Sequence, residues 1–279
     1  MFEKKLKKEL KYIISNVPIL YKYIDFKGGK KLLSSSYLLI KKPSTFDDPY
    51  DCFTSLIDFN NMPDSYFKYL INKYIDFSTK KDTIEQCQLY NNKISKNKLA
   101  KLYGTNFFPI EKENWGVLCF SEKYENLLMW SQYSDSHKGI CIGMNLKKLY
   151  LSFKSMEIKE ITLLKVKYLK KFKTYDYFKN KKEAIINWLR IKSKDWEYER
   201  EIRFCFGQII PNNLEEIPVE IAKDVINQIY LGSNMDSHDQ NEVIEICKKN
   251  YPNADIFKMR LDKCKFKLIP EKIQADSNS

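Results

Sequence analysis

The sequence predicts an α+β fold of mixed, largely antiparallel sheets with a helical insertion. Two observations carry that prediction. Runs with strand character are interspersed with runs of helical periodicity, and neither an internal repeat nor a long linker divides the chain. Its 279 residues are also enough for one large domain or two small ones, either with a real core. The boundaries that follow are a single domain over 1–270, with the helical insertion at 63–110, and a disordered tail over 271–279.

Taken in order, residues 3–14 read as a short Lys-rich amphipathic helix. "ILYKYIDF" (19–26) has strand character and "KGG" ends it. "SSSYLLIKKPSTFDDPYD" (34–51) reads as a strand stopped by Pro43, then a turn set by Asp47, Asp48 and Pro49. Residues 63–104 are helical in pattern and polar in tone, most clearly in "DTIEQCQLYNNKISKNKLAKLYG", which makes the insertion a candidate mobile cover. "WGVLCFSE" (115–122) is an apolar strand leading into a short helix, "NLLMWSQYSDS" (126–136), with Met129 and Tyr133 one turn apart. "KGICIGMN" (138–145) and "EITLLKVKYL" (160–169) are further strands. "KKEAIINWLRIKSKDW" (181–196) reads as an amphipathic helix that delivers the chain into "DWEYEREIRFCF" (195–206), read as a strand. "DVINQIYLGS" (224–233), a helix near 238–250, and two closing extended runs complete the order.

Composition narrows the function classes. Apolar residues are 43% and charged residues 30%, ordinary for a globular chain, while aromatics at 14% imply core and pocket walls rich in rings. Eight glycines leave little supply for Gly-rich phosphate loops. The net charge of +12 is uneven: residues 1–42 hold eleven Lys against three acids, and residues 145–194 hold fifteen Lys and Arg against four. Such basic segments attract nucleic acid or nucleotides, although a Lys-biased, AT-rich genome filling solvent faces accounts for them equally plainly. No basic stretch carries a sustained apolar face, and no apolar run reaches the ~18 residues needed to span a bilayer. Seven scattered Cys without a CxxC pair point to free thiols in a reducing cytosol. With only His137 and His238 present, a His-based metal cluster or a conventional triad is not expected. The opening "MFEKKLKKEL" lacks the apolar core of a signal peptide, so the expected location is cytoplasmic.

Four constellations and one lone histidine stand out. On a strand, Glu199, Glu201 and Arg203 share one face and Ile202, Phe204 and Phe206 the other. The two carboxylates would then lie within ~7 Å and titrate together, with Arg203 lowering both. Carboxylates so held can accept a sugar hydroxyl or stabilise a developing cation, unless the face is simply ion-paired and solvated. Ser121 with Tyr124, Trp130 and Tyr133 surrounds a strand–helix junction, where rings can sandwich a flat heterocycle or merely pack. Lys22 in "LYKY" would meet a phosphate or ribose if it faces a cleft. Asp47, Asp48 and Asp51 suit magnesium, but Asp-Pro sequences more often build turns. His137, between a helix and a strand, is a general base or a helix cap.

Together "LYKY", "STFDDPYD", "LCFSEKYENLLMWSQYSDSHKGICIGM", "WEYEREIRF" and "IYLGSNM" resemble the bacterial DUF2971 family, a domain of unknown function, over roughly residues 18–270. The chain carries Asp47 where the family usually shows Asn, and Gln132 where His is frequent. The order of these features is in turn similar to ADP-ribosyltransferase-like folds, where NAD lies in a cleft between two small sheets. That resemblance implies NAD as substrate and no metal. Lys22 would contact the ribose or pyrophosphate, Ser121 would support the strand beside nicotinamide, and Tyr133 with Tyr124 would stack on its ring. Trp130 and Arg203 would complete the cofactor walls. Glu201 would stabilise the oxocarbenium-like transition state and Glu199 would orient the acceptor. Small cytosolic domains of this kind often act in conflict systems as toxins or phage-defence effectors. Two other readings stand beside it: a non-catalytic nucleotide- or nucleic-acid-binding module using 145–194, and a metal-dependent nuclease using Asp47, Asp48, Asp51, Glu199 and Glu201.

Overall fold

A computed structural model describes residues 2–77, 94–156, 158, 160–207 and 214–273. The fold is α+β, with strands joined mostly antiparallel. Helix α1 (Phe2–Asn16) buries Ile13 against the main core. Strand β1 (Ile19–Ile24) ends at Asp25, whose carboxylate accepts the Gly28 N–H at 2.7 Å and caps α2 (Phe26–Ser35). The "KGG" read as a strand end therefore lies inside a helix. The reason is packing: a Cβ at Gly29 would stand 2.7 Å from the Ile140 side chain, so glycine lets α2 lie close on the sheet.

β2 (Tyr37–Lys41) stops at Pro43 as expected, and β3 (Ile57–Asp58) follows the acidic turn. The insertion supplies α3 (Asp64–Phe77), α4 (Lys96–Leu102) and α5 (Phe108–Glu113); the part of its helical pattern over 78–93 lies outside the described residues. The described part is no cover. Tyr103 and Phe108 pack with Phe59, Tyr177 and Trp188 in a second core beneath the sheet.

β4 (Trp115–Ser121), α6 (Leu127–Tyr133), β5 (Ile140–Asn145), α7 (Leu146–Lys154), β6 (Glu160–Lys165), β7 (Lys167–Leu169) and β8 (Tyr175–Asp176) come next. The run read as a helix over 181–196 divides. Only α8 (Lys181–Trp188) is helical; Ile191–Ser193 form β9 and Lys194–Glu199 a 3-10 turn. Parallel pairing of β9 with β7 takes these residues from the helix, because tertiary strand pairing outweighs local propensity.

β10 (Glu201–Gly207), β11 (Glu216–Glu220), β12 (Ile226–Leu231), α9 (Ser237–Asn250), β13 (Asp255–Leu261) and β14 (Leu268–Lys272) finish the chain. Glu271 and Lys272 pair with Lys258 and Phe257, so the first two residues assigned to a disordered tail belong to a strand. β10 is buried on both faces: Ile202, Phe204 and Phe206 enter the main core, and Cys205 the second.

The main sheet forks at β4. β10 covers one edge from Glu201 opposite Ser121 to Gly207 opposite Trp115, and β6 lies beyond it. The other edge is shared, because β1 meets it at Tyr21 opposite Ser121 and β2 at Lys41 opposite Val117. β1 continues the sheet through β5, β12, β13 and β14, whereas β2 leads to β11. Among the described residues no strand pairs with this edge of β4 between those two points.

Candidate functional site

A cavity of about 270 Å³ opens at this fork. Lys22 of β1 and Cys119 of β4 both line it. The Lys22 ammonium donates to the Cys119 carbonyl at 3.1 Å and lies 5.8 Å from the centre of the Phe120 ring. Burial pushes this ammonium down, Lys41 adds to the effect, and Glu201 opposes it.

Arg203 of β10 anchors the floor and is fully buried. Its five N–H groups all find acceptors. Nε and Nη2 donate to Glu201 Oε1 and Oε2, each at 2.8 Å. Nη1 and Nη2 donate to Asp51 Oδ1 and Oδ2 at 2.8 and 2.5 Å, and Nη1 also reaches the Leu189 carbonyl at 2.9 Å. Two forked carboxylate pairs on one guanidinium fix the side chain and both acids. Lys192 of β9 lies 2.7 Å from Glu199 Oε2, 3.5 Å from Asp51 Oδ2 and 3.8 Å from Glu201 Oε2. It also sits 4.8 Å from the centre of the Trp196 ring. Burial alone would push the Lys192 ammonium down, but Glu201, Asp51 and Glu199 outweigh it and raise it.

Glu199 reaches this cluster by a route that alternation does not describe. It ends the 3-10 turn, and Arg200 then adopts φ 46°, so Glu199 and Glu201 are not successive residues of one strand face. The turn is held from two sides. Ser121 Oγ donates to the Glu199 carbonyl at 2.7 Å, and Asn126 Nδ2 to the Tyr198 carbonyl at 2.8 Å. Asn126 also caps α6 through the Leu128 and Met129 N–H groups, so one side chain fixes both the helix and the turn. From α6 the Tyr133 hydroxyl donates to Glu199 Oε1 at 2.5 Å.

The two carboxylates are pushed apart. Burial raises Glu201, but Arg203 and then Lys192 overcome it and hold this carboxyl at about 2. Glu199 moves the other way, raised by burial and by the neighbouring Glu201 against the pull of Lys192 and Tyr133. The expected lowering of both holds for Glu201 alone, because the guanidinium is spent on Glu201 and Asp51. The Tyr133 phenol is itself raised by burial and by its bond to Glu199, so it stays a neutral donor. Asp51, Glu199 and Glu201 thus face Lys192 and Arg203, three carboxylates against two cations. This site has the elements of acid–base chemistry: one carboxylate held ionised near neutral pH and one with a raised affinity for a proton.

Lys22, Ser121, Tyr133, Glu199, Glu201 and Arg203 all line the cavity. Tyr133 is the exposed member, at 38%. Trp130 and Tyr124 are placed elsewhere. Trp130 is fully buried, packs edge-on against Tyr23, and its Nε1 donates to the Tyr124 carbonyl at 2.6 Å. The Tyr124 ring stacks on Tyr230 at 4.4 Å, in a row continued by Tyr21 and Phe257. Neither ring is a cavity wall, so Tyr133 is the member of that aromatic block that a ligand would meet. His137 also lies outside the cavity, in a turn where Asp135, Ser136 and His137 take φ of 45°, 52° and 69°.

Sequence reasoning missed Lys192 and undervalued Asp51. Lys192 sat within an apparent helix, and only the β-branched, short "IKS" run hinted at a strand. Asp51 was absorbed into the Asp-Pro turn, whereas it is buried on Arg203. Asp47 and Asp48 line the rim, and Asp48 Oδ1 accepts from the Tyr50 N–H at 2.9 Å. Arg203 and Lys192 form ion pairs with the acids Asp51, Glu199 and Glu201.

No helix among the described residues is long and apolar enough to cross a membrane. The cysteines Cys52, Cys119, Cys141, Cys205, Cys247 and Cys264 are free thiols. No curated protein and no solved structure matches the chain. A family model does match, over residues 129–204, a stretch that runs from α6 into β10 and carries Tyr133, Lys192, Glu199, Glu201 and Arg203. The matched family, DUF2971, is a protein family of unknown function, and over these residues the chain is similar to it.

Proposed function

We propose that the cavity binds NAD and breaks its nicotinamide–ribose bond, passing ADP-ribose to an acceptor or to water. What supports the reading is convergence. Lys22, Ser121, Tyr133, Glu199 and Glu201 come from five separate elements and line one cavity at a sheet fork. The volume of about 270 Å³ suits a ring and a pentose, just below the roughly 300–1,000 Å³ of whole-ligand pockets. The rest of the dinucleotide would lie along the opening, near Lys22 and Lys41.

In this reading the acceptor heteroatom attacks C1′ of the nicotinamide ribose as the C1′–N bond breaks. Nicotinamide leaves with the bonding pair, and the acceptor's proton passes to Glu199, whose raised affinity suits it to receive one. Glu201 stays ionised and faces the cationic transition state as a fixed negative charge. Tyr133 stacks at the mouth and steadies Glu199 through its hydroxyl.

Incubation with NAD, with nicotinamide release followed by chromatography, tests this. Turnover is expected from the wild type, with loss in Glu199→Gln and Glu201→Gln variants that remain folded. A folded wild type that neither binds nor consumes NAD would sink it. The nuclease reading is weaker, because Arg203 and Lys192 engage the acids it requires. A chelator should accordingly leave NAD turnover unchanged.

A further inference from the structure

The basic segment 145–194 is less available than its composition implies. Lys148, Lys165, Lys182, Arg190, Lys192 and Lys194 each pair with a carboxylate. Lys170, Lys171 and Lys173 differ: they are exposed, and among the described residues none of the three has an acid partner within ion-pair distance, although the Lys173 ammonium lies 5.4 Å from the centre of the Tyr175 ring. They flank Phe172, which is 57% exposed.

Phe172 is not a solitary ring. It stacks on Phe53 at 5.8 Å and lies 5.7 Å from Tyr50, which is itself 53% exposed. Beside these rings is a second cavity of about 380 Å³, walled by Tyr50, Leu169, Phe172, Lys170 and Lys171, with Lys192 as a further wall. Lys192 also lines the first cavity, so the two hollows meet at one side chain. Positive charge is crowded here as well. Lys167 is pushed down by burial and then by Arg190, with Lys5 and Lys173 adding to it and only Glu9 opposing.

Exposed rings beside exposed lysines are the two features that single-stranded nucleic acids recognise, one for base faces and one for phosphates. We propose that this platform binds single-stranded nucleic acid, with a base against Phe172 and neighbouring phosphates on Lys170, Lys171 and Lys173. A duplex keeps its base faces stacked and could not use the rings. Three lysines within four residues offer more cationic contacts than the two phosphates of a dinucleotide require. On the transferase reading above, this makes a nucleobase beside Lys192 the acceptor; the binding itself stands without that reading.

The test is fluorescence anisotropy of short single-stranded DNA and RNA, and of a matching duplex, titrated with the whole chain in the absence of NAD. Single strands should bind more tightly than the duplex, with affinity falling steeply as salt rises. Phe172→Ala should weaken binding about tenfold, and Tyr50→Ala serves as a second ring variant. Replacing Lys170, Lys171 and Lys173 by Gln should flatten the salt dependence. No binding at low salt, equal binding of duplex and single strand, or affinity indifferent to both ring variants would overturn the proposal. So would displacement of the oligonucleotide by NAD alone in a manner lost on Phe172→Ala, which would reassign the platform to the dinucleotide. Oligonucleotide binding without NAD turnover would refute the transferase reading and leave this one standing.

Discussion

Tyr133 donates its hydroxyl to Glu199 Oε1 at 2.5 Å, joining α6 to the turn that precedes β10. This contact links the one exposed ring of the cavity to the carboxyl with the raised proton affinity, and it favours the ionised form of Glu199.

Tyr133→Phe removes that donor and leaves the ring. The Glu199 carboxyl should rise further, so the acidic limb of the pH profile for NAD turnover should move to higher pH. Loss of one hydrogen bond to a charged group corresponds to about 1.5–3 kcal/mol, or roughly one to two pH units. An acidic limb that stays in place would show that Glu199 does not govern it.

Arg203→Met strands Asp51 and Glu201 as buried, unpaired carboxylates. The expected cost is about 3–5 kcal/mol, seen as a drop in Tm of roughly 10 °C. Arg203→Lys should not rescue it, since one ammonium cannot span two forked carboxylates. Combining Arg203→Met with Asp51→Asn should cost less than the two separate effects added. Strict additivity in thermal melts would argue against the paired geometry.

Acid should weaken the fold through Glu201. Its folded carboxyl, held at about 2 against an ordinary 4.5, contributes stability that is complete above pH 4.5 and lost as pH falls toward 2. That contribution is about 3 kcal/mol. Glu199 has the opposite sign: its raised carboxyl keeps a proton that the unfolded chain releases, so its contribution declines as pH rises above 4.5. Urea unfolding at stepped pH checks both. The gap between wild type and Glu201→Gln should narrow below pH 4.5, whereas Glu199→Gln should flatten the decline on the other side.

Gly232→Ala should destabilise by about 1–3 kcal/mol, as overpacking does. A Cβ there would stand 2.0 Å from the His137 carbonyl oxygen, in the turn that leaves α6 with three successive positive φ values. Shifting that turn should also disturb Tyr133 and reduce turnover beyond the loss of stability. Unchanged melting would mean that the turn yields without strain.

The residue pattern was informative where the signal is local. Strands β1, β4 and β5 and helix α9 were legible because apolar periodicity and turn residues bound them closely. Elsewhere tertiary contact overrode the pattern. "KGG" read as a break because glycine is a poor helix former, yet close approach of α2 to Ile140 demands it. Residues 189–193 extended a helical pattern, yet pairing with β7 turned them into a strand approach and brought Lys192 to the acids.

The sequence by itself determined the α+β class, the family resemblance, and a list of side chains with suitable chemistry. It also placed Glu201 and Arg203 on one strand face, since alternation is a local property of any strand. Only the tertiary structure decided which of those side chains meet. The sheet forks at β4, and contacts between residues as distant as Asp51 and Arg203 close its floor. The difference between Glu199 and Glu201 was decided there too. A carboxyl's proton affinity depends on burial and on neighbouring charge, and Arg203 sits on one of them while Tyr133 and Lys192 hold the other.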